Sequence, residues 1–452
     1  MVNERGTFGT KLGVIAATAG SSVGLGNIWR FPYETGVHGG AAFLLIYILC
    51  VLALGIPVML SEFYIGRKTH RNTAGAFDTL KAHKAWKIIG YMGILASFLI
   101  LGFYSVVAGW TVEYVFESVK NNLANQSAEQ LAASFNAFST DPNRPLIWVV
   151  IFVVFTFGIT LGGVKNGIEK ASNILMPVLF VLIIVMSIRS ITMPGAKEGL
   201  EFLFKPDFSK ITSKVILSAM GQAFFSLSVG MGCLITYSSY FSRKTDLVRT
   251  SLIVGGLDTI IALLAGVIIF PAVFSFGIAP SAGPQLVFIT LPNVFSQMAG
   301  GYFFSIAFFV LLLIAALTST ISLSEVITAY IHEEFNVSRR KATMYIFFVV
   351  IVLSILCSLS LSSTNSFGLF GKNLFDLFDF TASNILLPLG GMLISIFVGW
   401  YVEKNTLRDE LTNQGTVAFR LFTIYVFLLR YFAPIAIGLI FLNELGLLKL
   451  FS

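Results

Sequence analysis

The first long apolar segment of the chain, about residues 11–36, is interrupted by a stretch rich in glycine and serine. Residues 19–27 read Ala-Gly-Ser-Ser-Val-Gly-Leu-Gly-Asn. Each glycine costs a helix about 1 kcal/mol relative to alanine, so a helix is expected to break here. Lipid cannot satisfy the backbone N–H and C=O groups that such a break releases within a bilayer. The stretch therefore predicts a site where backbone groups meet protein, water or a ligand.

A second apolar segment carries the same interruption. Residues 227–232, Leu-Ser-Val-Gly-Met-Gly, share Ser-Val-Gly-x-Gly with residues 21–26, Ser-Ser-Val-Gly-Leu-Gly. Glycines in membrane helices can simply allow close packing, which is a sufficient account of one such stretch taken alone. Two matched interruptions in the two halves of a chain favour a transporter built from inverted repeats, with its site near the membrane midplane.

The composition is that of a polytopic membrane protein. Of 452 residues, 56% are hydrophobic and 12% are charged, whereas soluble domains contain about a quarter charged residues. The cysteines Cys50, Cys233 and Cys357 fall in apolar segments, so no disulfide framework is expected. The basic residues behind the net charge of +7 are dispersed over loops, so no nucleic-acid partner is expected.

No catalytic constellation is expected. The four histidines lie in loops or at helix ends, and the sequence has no Gly-Lys-Ser/Thr phosphate loop and no Cys/His pairs at zinc spacing. This pattern does not favour an enzyme or an ATP-driven pump. Uphill transport would then have to be driven by an ion gradient.

Apolar segments of about 20 residues predict eleven membrane spans. They cover about residues 11–36, 40–66, 88–118, 146–163, 169–190, 213–239, 247–277, 302–334, 341–361, 372–402 and 416–446. An odd number places the termini on opposite sides, and the distribution of Lys and Arg predicts a cytoplasmic N-terminus and an extracytoplasmic C-terminus. The first segment is too long for a signal-peptide core and is expected to be retained. One transmembrane domain, residues 1–452, is expected, with repeats at about 11–190 and 213–402 and an extra helix at about 416–446.

The outer connection 277–301 is predicted to form a lid. It carries no charged residue and contains Pro280, Pro284 and Pro292. A loop of this composition can fold down over an outward cavity.

Two groups of residues are candidates for ion binding. Thr318 and Ser319 lie in the middle of the eighth span, where their hydroxyls and the carbonyls of the first break could offer hard oxygen ligands to Na⁺. Alternatively, both hydroxyls bond back to their own helix, which is common in membranes. Asp258 lies within the seventh span, where an uncompensated carboxylate indicates a functional site. A cation or a proton is expected beside it.

Taken together, these stretches resemble the neurotransmitter:sodium symporter family, whose members have the leucine-transporter fold. The matching stretches include Gly20-x-x-Val23-Gly24-Leu25-Gly26-Asn27-x-x-Arg30-Phe31-Pro32, Glu62-x-x-x-Gly66-Arg67, Gln222-Ala223-Phe224-Phe225-Ser226-Leu227-Ser228 and Leu317-Thr318-Ser319. The likeness covers nearly the whole chain. It implies an all-α polytopic membrane protein with two inverted five-helix repeats, one extra helix, and first and sixth spans that are unwound at the midplane.

The resemblance also implies two sodium sites. One would use the carbonyl of Ser22, the side chains of Asn27, Ser226 and Asp258, and the carboxylate of the substrate. The other would use five groups from the first break and the eighth span, namely the carbonyls of Gly20, Val23 and Ala315 and the hydroxyls of Thr318 and Ser319.

Substrate contacts follow from the same resemblance. The site would consist of Ser22, Gly24, Leu25, Gly26, Ile100, Tyr104, Phe225, Ser228, Met231, Ser319 and Leu323. Monoamine carriers of this family have an aspartate where Gly24 stands, so glycine favours a substrate with its own carboxylate. Met231 stands where a leucine-selective relative has phenylalanine, and its flexible thioether favours a larger ring.

The expected function is therefore import of hydrophobic and aromatic L-amino acids (Trp, Tyr, Phe and also Leu) with Na⁺ by alternating access across a bacterial plasma membrane. The alternatives are a sodium-dependent amino-acid sensor or channel-like protein, and a symporter for another small amino acid or osmolyte. The expected partners are the amino acid and the lipid bilayer, with the chain a monomer or a weak homo-oligomer.

Asp258 departs from the asparagine of chloride-coupled members. A fixed negative charge there could replace chloride, because two cations need compensation in a low-dielectric site. We expect chloride independence, with a proton carried outward by Asp258 on the return step. The alternative is a permanently ionised sodium ligand.

The resemblance implies gates on both sides of the site. Arg30 and Asp379 should pair across the outer vestibule. On the cytoplasmic side Arg5 should meet Glu333 near Tyr240, with Phe8 as an apolar plug. Gly167 and Pro177 have a spacing typical of a fifth span whose start unwinds to admit water to the Thr318 and Ser319 site.

Overall fold

A computed structural model describes residues 6–124, 126–277, 287–362, 368–369 and 371–444. Almost every element in this part of the chain is a helix. In chain order the helices are α1 Lys11–Ser22, α2 Gly26–Val37, α3 Ala41–Thr69, α4 Gly75–Thr79, α5 Lys84–Val119, α6 Ala128–Ser139, α7 Arg144–Leu161, α8 Val164–Ile191, α9 Ala196–Phe204, α10 Ser213–Ser226, α11 Cys233–Ser238, α12 Leu247–Ser275, α13 Thr290–Gln297, α14 Gly301–Glu334, α15 Arg339–Ser360, α16 Leu374–Tyr401, α17 Lys404–Leu411 and α18 Phe422–Asn443. The short strands β1 Gly368–Leu369 and β2 Lys372–Asn373 form one antiparallel pair before α16.

The helices in the described part of the chain coincide with the eleven predicted segments, and ten of these are long and apolar enough to cross a membrane. Nine helices are long and apolar enough to cross a membrane on their own, namely α3, α5, α7, α8, α12, α14, α15, α16 and α18. The bent pair α1 and α2 is a tenth span, with an angle of 51° between its halves. Helices α10 and α11, separated by residues 227–232, supply the remaining one. A helix or a broken helix therefore lies at each of the eleven predicted segments, and the two predicted breaks are present.

The first break follows directly from the end of α1. Val23 has an extended backbone, with φ −71° and ψ 110°, so the helix cannot continue past Ser22. The other end of α1 is capped by Thr10, whose hydroxyl accepts a hydrogen bond from Gly13 N at 2.9 Å. Glu169, at the start of α8, accepts further bonds from Gly9 N and Thr10 N at 2.8 and 3.0 Å. The start of the first span is thus tied to the start of the fifth.

The second break depends on three residues with left-handed backbone. Ser228, Gly230 and Gly232 have φ of 55°, 86° and 79°, values that glycine adopts readily and serine does not. Glu62 of α3 supports the turn by accepting a hydrogen bond from Gly230 N at 2.7 Å. The released backbone N–H is thereby satisfied by a side chain from a neighbouring span.

Two predicted segments differ locally from the structure. Helix α18 begins at Phe422, later than the predicted residue 416, and the turn that precedes it contains Asn413, Gln414 and Gly415, all with positive φ. The start of α8 is wound, as a wide turn over Val164–Glu169, and Pro177 lies inside the helix. Unwinding from Gly167 to Pro177 therefore stays a prediction about another state.

The outer connection is only partly described, since residues 278–286, with Pro280 and Pro284, lie outside the described residues. The part from residue 287 onward folds inward. Phe288 is 2% exposed, and its ring packs against Trp110, Tyr114 and Phe309 at centroid distances of 5.9, 5.1 and 6.2 Å. This arrangement fits a loop that covers the helices beneath it.

Candidate functional site

The two helix breaks lie against each other and are joined by reciprocal hydrogen bonds. Ser22 Oγ donates to the carbonyl of Leu227 at 3.3 Å, and Ser228 Oγ donates to the carbonyl of Ser21 at 2.8 Å. Carbonyl groups that the breaks release are thus satisfied across the junction, as required at this depth of a membrane. The breaks form one site instead of two.

A cavity of about 30 Å³ lies at this junction. It is lined by Ser21, Ser22, Gly24, Gly26, Ile100, Tyr104, Phe225, Ser228, Met231, Cys233, Ser319 and Leu323. The structure therefore brings together every residue predicted for the substrate except Leu25, which lines the outer vestibule instead. Ser21 and Cys233 line this central cavity although the sequence analysis did not single them out for it.

Close contacts at one end of the central cavity require glycine. A methyl group on Gly24 would lie 2.4 Å from Ser319 Oγ and 2.9 Å from Tyr104 OH, and one on Gly26 would lie 3.0 Å from Phe225 Cε1. The N–H of Leu25 donates to Tyr104 OH at 3.0 Å. Backbone N–H groups and hydroxyls thus converge here, and such groups can hold a carboxylate.

Asp258 lies at the centre of a buried polar cluster. Asn27 Nδ2 donates to Asp258 Oδ1 at 2.8 Å and to Ser226 Oγ at 2.9 Å, and Ser226 Oγ donates to Asp258 Oδ2 at 2.8 Å. Tyr47 OH donates to Asp258 Oδ2 at 3.2 Å. The structure therefore brings together three predicted sodium ligands and adds Tyr47, which sequence reasoning missed.

The hydroxyls of Thr318 and Ser319 face the first break. Ser319 Oγ donates to the carbonyl of Val23 at 3.4 Å, and Thr318 Oγ1 lies 3.5 Å from the same oxygen and 3.1 Å from the carbonyl of Ala315. A methyl group on Gly20 would lie 3.3 Å from Thr318 Cβ. All five predicted residues therefore converge, with Thr318 also bonded back to its own helix at the Ile314 carbonyl.

An outer vestibule of about 250 Å³ adjoins the central cavity at Tyr104 and Phe225. Arg30 and Asp379 both line it. Arg30 Nε lies 3.9 Å from Glu34 Oε1, with the guanidinium 4.5 Å from the centre of the Phe225 ring, while Asp379 accepts a bond from Ser383 Oγ at 2.9 Å. The two predicted partners thus face one open space without an ion pair between them in this structure, and their pairing stays a prediction for a closed vestibule.

The opposite end of the site is closed by aromatic packing. The Phe8 ring lies 5.9 Å from Tyr237 and 6.1 Å from Tyr240, and Phe8 N donates to the Tyr240 carbonyl at 3.3 Å. Glu333 accepts bonds from Asn72 N and Nδ2 at 2.9 and 3.0 Å. Arg5, its predicted partner, lies outside the described residues.

A buried ion pair beside this plug was missed by sequence reasoning. Glu325 is fully buried in α14. Its carboxylate accepts bonds from Arg339 Nη1 at 2.8 Å and from Tyr240 OH at 2.5 Å. Glu62 and Glu325 could both have been found by the argument applied to Asp258, because each is a carboxylate within an apolar segment.

The overall architecture has a close match among solved structures. MhsT in complex with L-phenylalanine superposes with a TM-score of 0.90 and 45% sequence identity, over 97% of this chain and 100% of that one. A family model described as the Sodium:neurotransmitter symporter family matches residues 5–143 and 130–449. The chain belongs to this family.

Curated relatives support the same assignment. The sodium-dependent transporter YhdH of Bacillus subtilis is 40% identical over 442 residues, 98% of each chain. A sodium-dependent transporter of Haemophilus influenzae is 39% identical over 453 residues, again 98% of each chain. The family is one of sodium-coupled transporters, so the chain is a sodium-dependent symporter in a multi-pass membrane fold and not an enzyme. The predicted family and the all-α fold are confirmed.

Proposed function

We propose that the chain imports hydrophobic and aromatic L-amino acids together with Na⁺, and that they bind in the central cavity. The observation that carries this proposal is the pair of broken helices, whose backbone groups converge with Tyr104 and Ser319 on Gly24. A side chain at this position would fill the space that a substrate carboxylate needs. The similar structure of MhsT holds L-phenylalanine, which supports an amino acid with an apolar side chain.

The size of the cavity determines how such a substrate is accommodated. A volume of about 30 Å³ has room for about two water molecules, so an aromatic ring enters only if side chains of the wall move. Met231 is unbranched and has a polarizable thioether, so it can change rotamer and contact the ring edge. We infer that this adaptability allows Trp, Tyr, Phe and Leu in one site.

We propose that Na⁺ binds at the two oxygen clusters beside the cavity. The first comprises the Ser22 carbonyl, Asn27, Ser226 and Asp258 with the substrate carboxylate, which couples ion and substrate directly. Because Asn27 now turns its amide nitrogen to Asp258, this amide must rotate to offer its oxygen to the ion. The second comprises Thr318, Ser319 and the carbonyls of Gly20, Val23 and Ala315, whose neutral oxygens suit Na⁺.

Asp258 is proposed to make transport independent of chloride. Its carboxylate supplies the negative charge that would otherwise come from an anion, and Tyr47, Ser226 and Asn27 hold it in place. A carboxylate without a counter-ion is costly at this depth, so we infer that Asp258 takes up a proton when sodium has left and carries it outward on the return step.

We propose that alternating access arises because the outer end and the cytoplasmic end of the site open in turn. Pairing of Arg30 with Asp379 would close the vestibule above Tyr104 and Phe225, while release of Phe8 and of the Arg5–Glu333 contact would open the other side. Unwinding of α8 between Gly167 and Pro177 would admit water to Thr318. With the N-terminus in the cytoplasm and the C-terminus outside, this cycle imports the substrate across a bacterial plasma membrane.

Uptake into proteoliposomes tests this function. An inward sodium gradient should drive concentrative uptake of L-phenylalanine, and excess Trp, Tyr or Leu should compete while Gly and GABA should not. Replacement of chloride by gluconate should leave the uptake unchanged. Binding without accumulation would contradict transport, and better competition by Gly or GABA would contradict the substrate class.

A further inference from the structure

Ser21 presents an unpaired hydroxyl to the central cavity. The residue is 2% exposed, and its Oγ is a buried atom without a hydrogen-bond partner in the described part of the chain. The thiol of Cys233 lies beside this hydroxyl and can offer it only a weak hydrogen bond, so the hydroxyl has no strong partner. Both residues line the cavity together with Met231.

The other hydroxyls that line this cavity are already engaged. Ser22, Ser228 and Ser319 each donate to a backbone carbonyl, and Tyr104 OH accepts from Leu25 N. A serine in a membrane helix ordinarily donates to the carbonyl one turn earlier, as Thr18 in the same helix does to Val14 at 2.6 Å. Because a buried polar group without a partner is unfavourable, each such group in a native structure calls for an explanation.

Ser21 and the glycines at the proposed carboxylate site belong to different parts of the first span. Gly24 lies within the first break and Gly26 begins α2, whereas Ser21 lies on α1 and its neighbour Cys233 begins α11. The wall of the same cavity also includes the apolar side chains of Ile100, Met231 and Leu323. A substrate with its carboxylate at Gly24 would place its side chain among these apolar residues, in a cavity that Ser21 Oγ also lines.

We propose that Ser21 Oγ hydrogen-bonds the polar tip of an aromatic substrate side chain, the phenol O–H of tyrosine or the indole N–H of tryptophan. This inference rests on the proposed function. The O–H of tyrosine or the N–H of tryptophan loses a hydrogen bond to water when the substrate enters the cavity, and a bond to Ser21 Oγ replaces it. Phenylalanine has no such donor and leaves Ser21 unpaired. Sites with such a polar group discriminate strongly against analogues that lack the matching one. Ser21 is then a specificity determinant that favours tyrosine and tryptophan over phenylalanine.

Equilibrium binding to the purified full-length protein in Na⁺ tests this assignment, with radiolabelled L-tyrosine displaced by unlabelled amino acids. The quantity of interest is the ratio of the Kd for phenylalanine to the Kd for tyrosine. Ser21→Ala should lower this ratio about tenfold, the effect of one buried hydrogen bond, and Ser21→Thr should restore it. Thr328→Val is the matched control, because Thr328 Oγ1 is also buried and unpaired but does not line the cavity, so the ratio should stay unchanged.

A measurement on the unmodified protein keeps the test independent of how the variants fold. L-4-fluorophenylalanine has nearly the size of tyrosine but no donor, and it should bind about tenfold more weakly. Equal affinity for the two ligands, or an unchanged ratio in Ser21→Ala, would overturn the role of Ser21. Loss of sodium-dependent binding of phenylalanine and tyrosine alike in the unmodified protein would instead overturn the proposed function.

Discussion

The side-chain amide of Asn27 donates a 2.8 Å hydrogen bond to Asp258 Oδ1, and so joins the first broken span to the seventh. Asn27 Oδ1 in turn accepts from Gly24 N at 3.0 Å. One asparagine thus connects the backbone at the proposed carboxylate site with the carboxylate at the proposed sodium site. Rotation of this amide would change both contacts together, which offers a short physical route for coupling between ion and substrate.

Asp258→Asn should make transport depend on chloride. Without the carboxylate, the charge of the bound cations is no longer compensated in the low-dielectric site, and an external anion must replace it. We expect sodium-driven uptake in gluconate to fall by at least about tenfold, or about 1.4 kcal/mol, and to recover in chloride. Paired uptake assays in the two anions measure this effect. A chloride requirement in the unmodified protein, or equal activity of the variant in both anions, would contradict the prediction.

Gly24→Ala should strongly weaken substrate binding. The added methyl group would lie 2.4 Å from Ser319 Oγ and 2.9 Å from Tyr104 OH, where overpacking displaces the groups that hold the carboxylate. We expect the affinity for L-phenylalanine to fall at least about hundredfold, or about 2.8 kcal/mol. Gly158→Ala is the control, since its methyl group meets no atom within 4 Å. Calorimetric titration in Na⁺ compares the two variants, and near-normal affinity in Gly24→Ala would refute this reading of the site.

Arg339→Ala should destabilise the fold, because it leaves the carboxylate of Glu325 buried without its counter-ion. Removing one partner of a buried pair typically costs about 3–5 kcal/mol. Glu325→Gln in the same chain should recover part of this loss, since the unpaired charge is then gone. Thermal unfolding of both single variants and of the double variant gives the coupling free energy. Additive losses in the double variant would show that the pair is not coupled.

Pro177→Ala should slow transport more than binding. Proline inside α8 cannot donate a backbone hydrogen bond, and alanine would restore this bond and oppose unwinding of the segment from Gly167. We expect uptake to fall about three- to tenfold while the affinity for phenylalanine changes less than about twofold, or about 0.4 kcal/mol. Pro145→Ala is the control, because Pro145 lies at the start of α7, where a missing donor is harmless. Unchanged uptake in Pro177→Ala would argue against unwinding of α8.

The sequence alone predicts the spans and the two breaks. Hydropathy, the glycine and serine content of a helix, and a repeated motif are local properties, so they can be recognised without knowledge of the partners. The resemblance to a family added the residues of the central cavity and the grouping of Asn27, Ser226 and Asp258. The structure places these three residues together as expected.

Only the tertiary structure decided which polar groups have partners. Tyr47 reaches Asp258, Glu62 reaches Gly230, and Arg339 reaches Glu325, each from another segment of the chain. Ser21 is left unpaired among neighbours that are paired, and Arg30 lies near Glu34 and not at Asp379. Hydrogen-bonding partners depend on which helix faces converge, and hydropathy and spacing do not specify that convergence. The sequence therefore determined where the helices break, and the packing of distant spans decided which groups at the breaks remain free for a ligand.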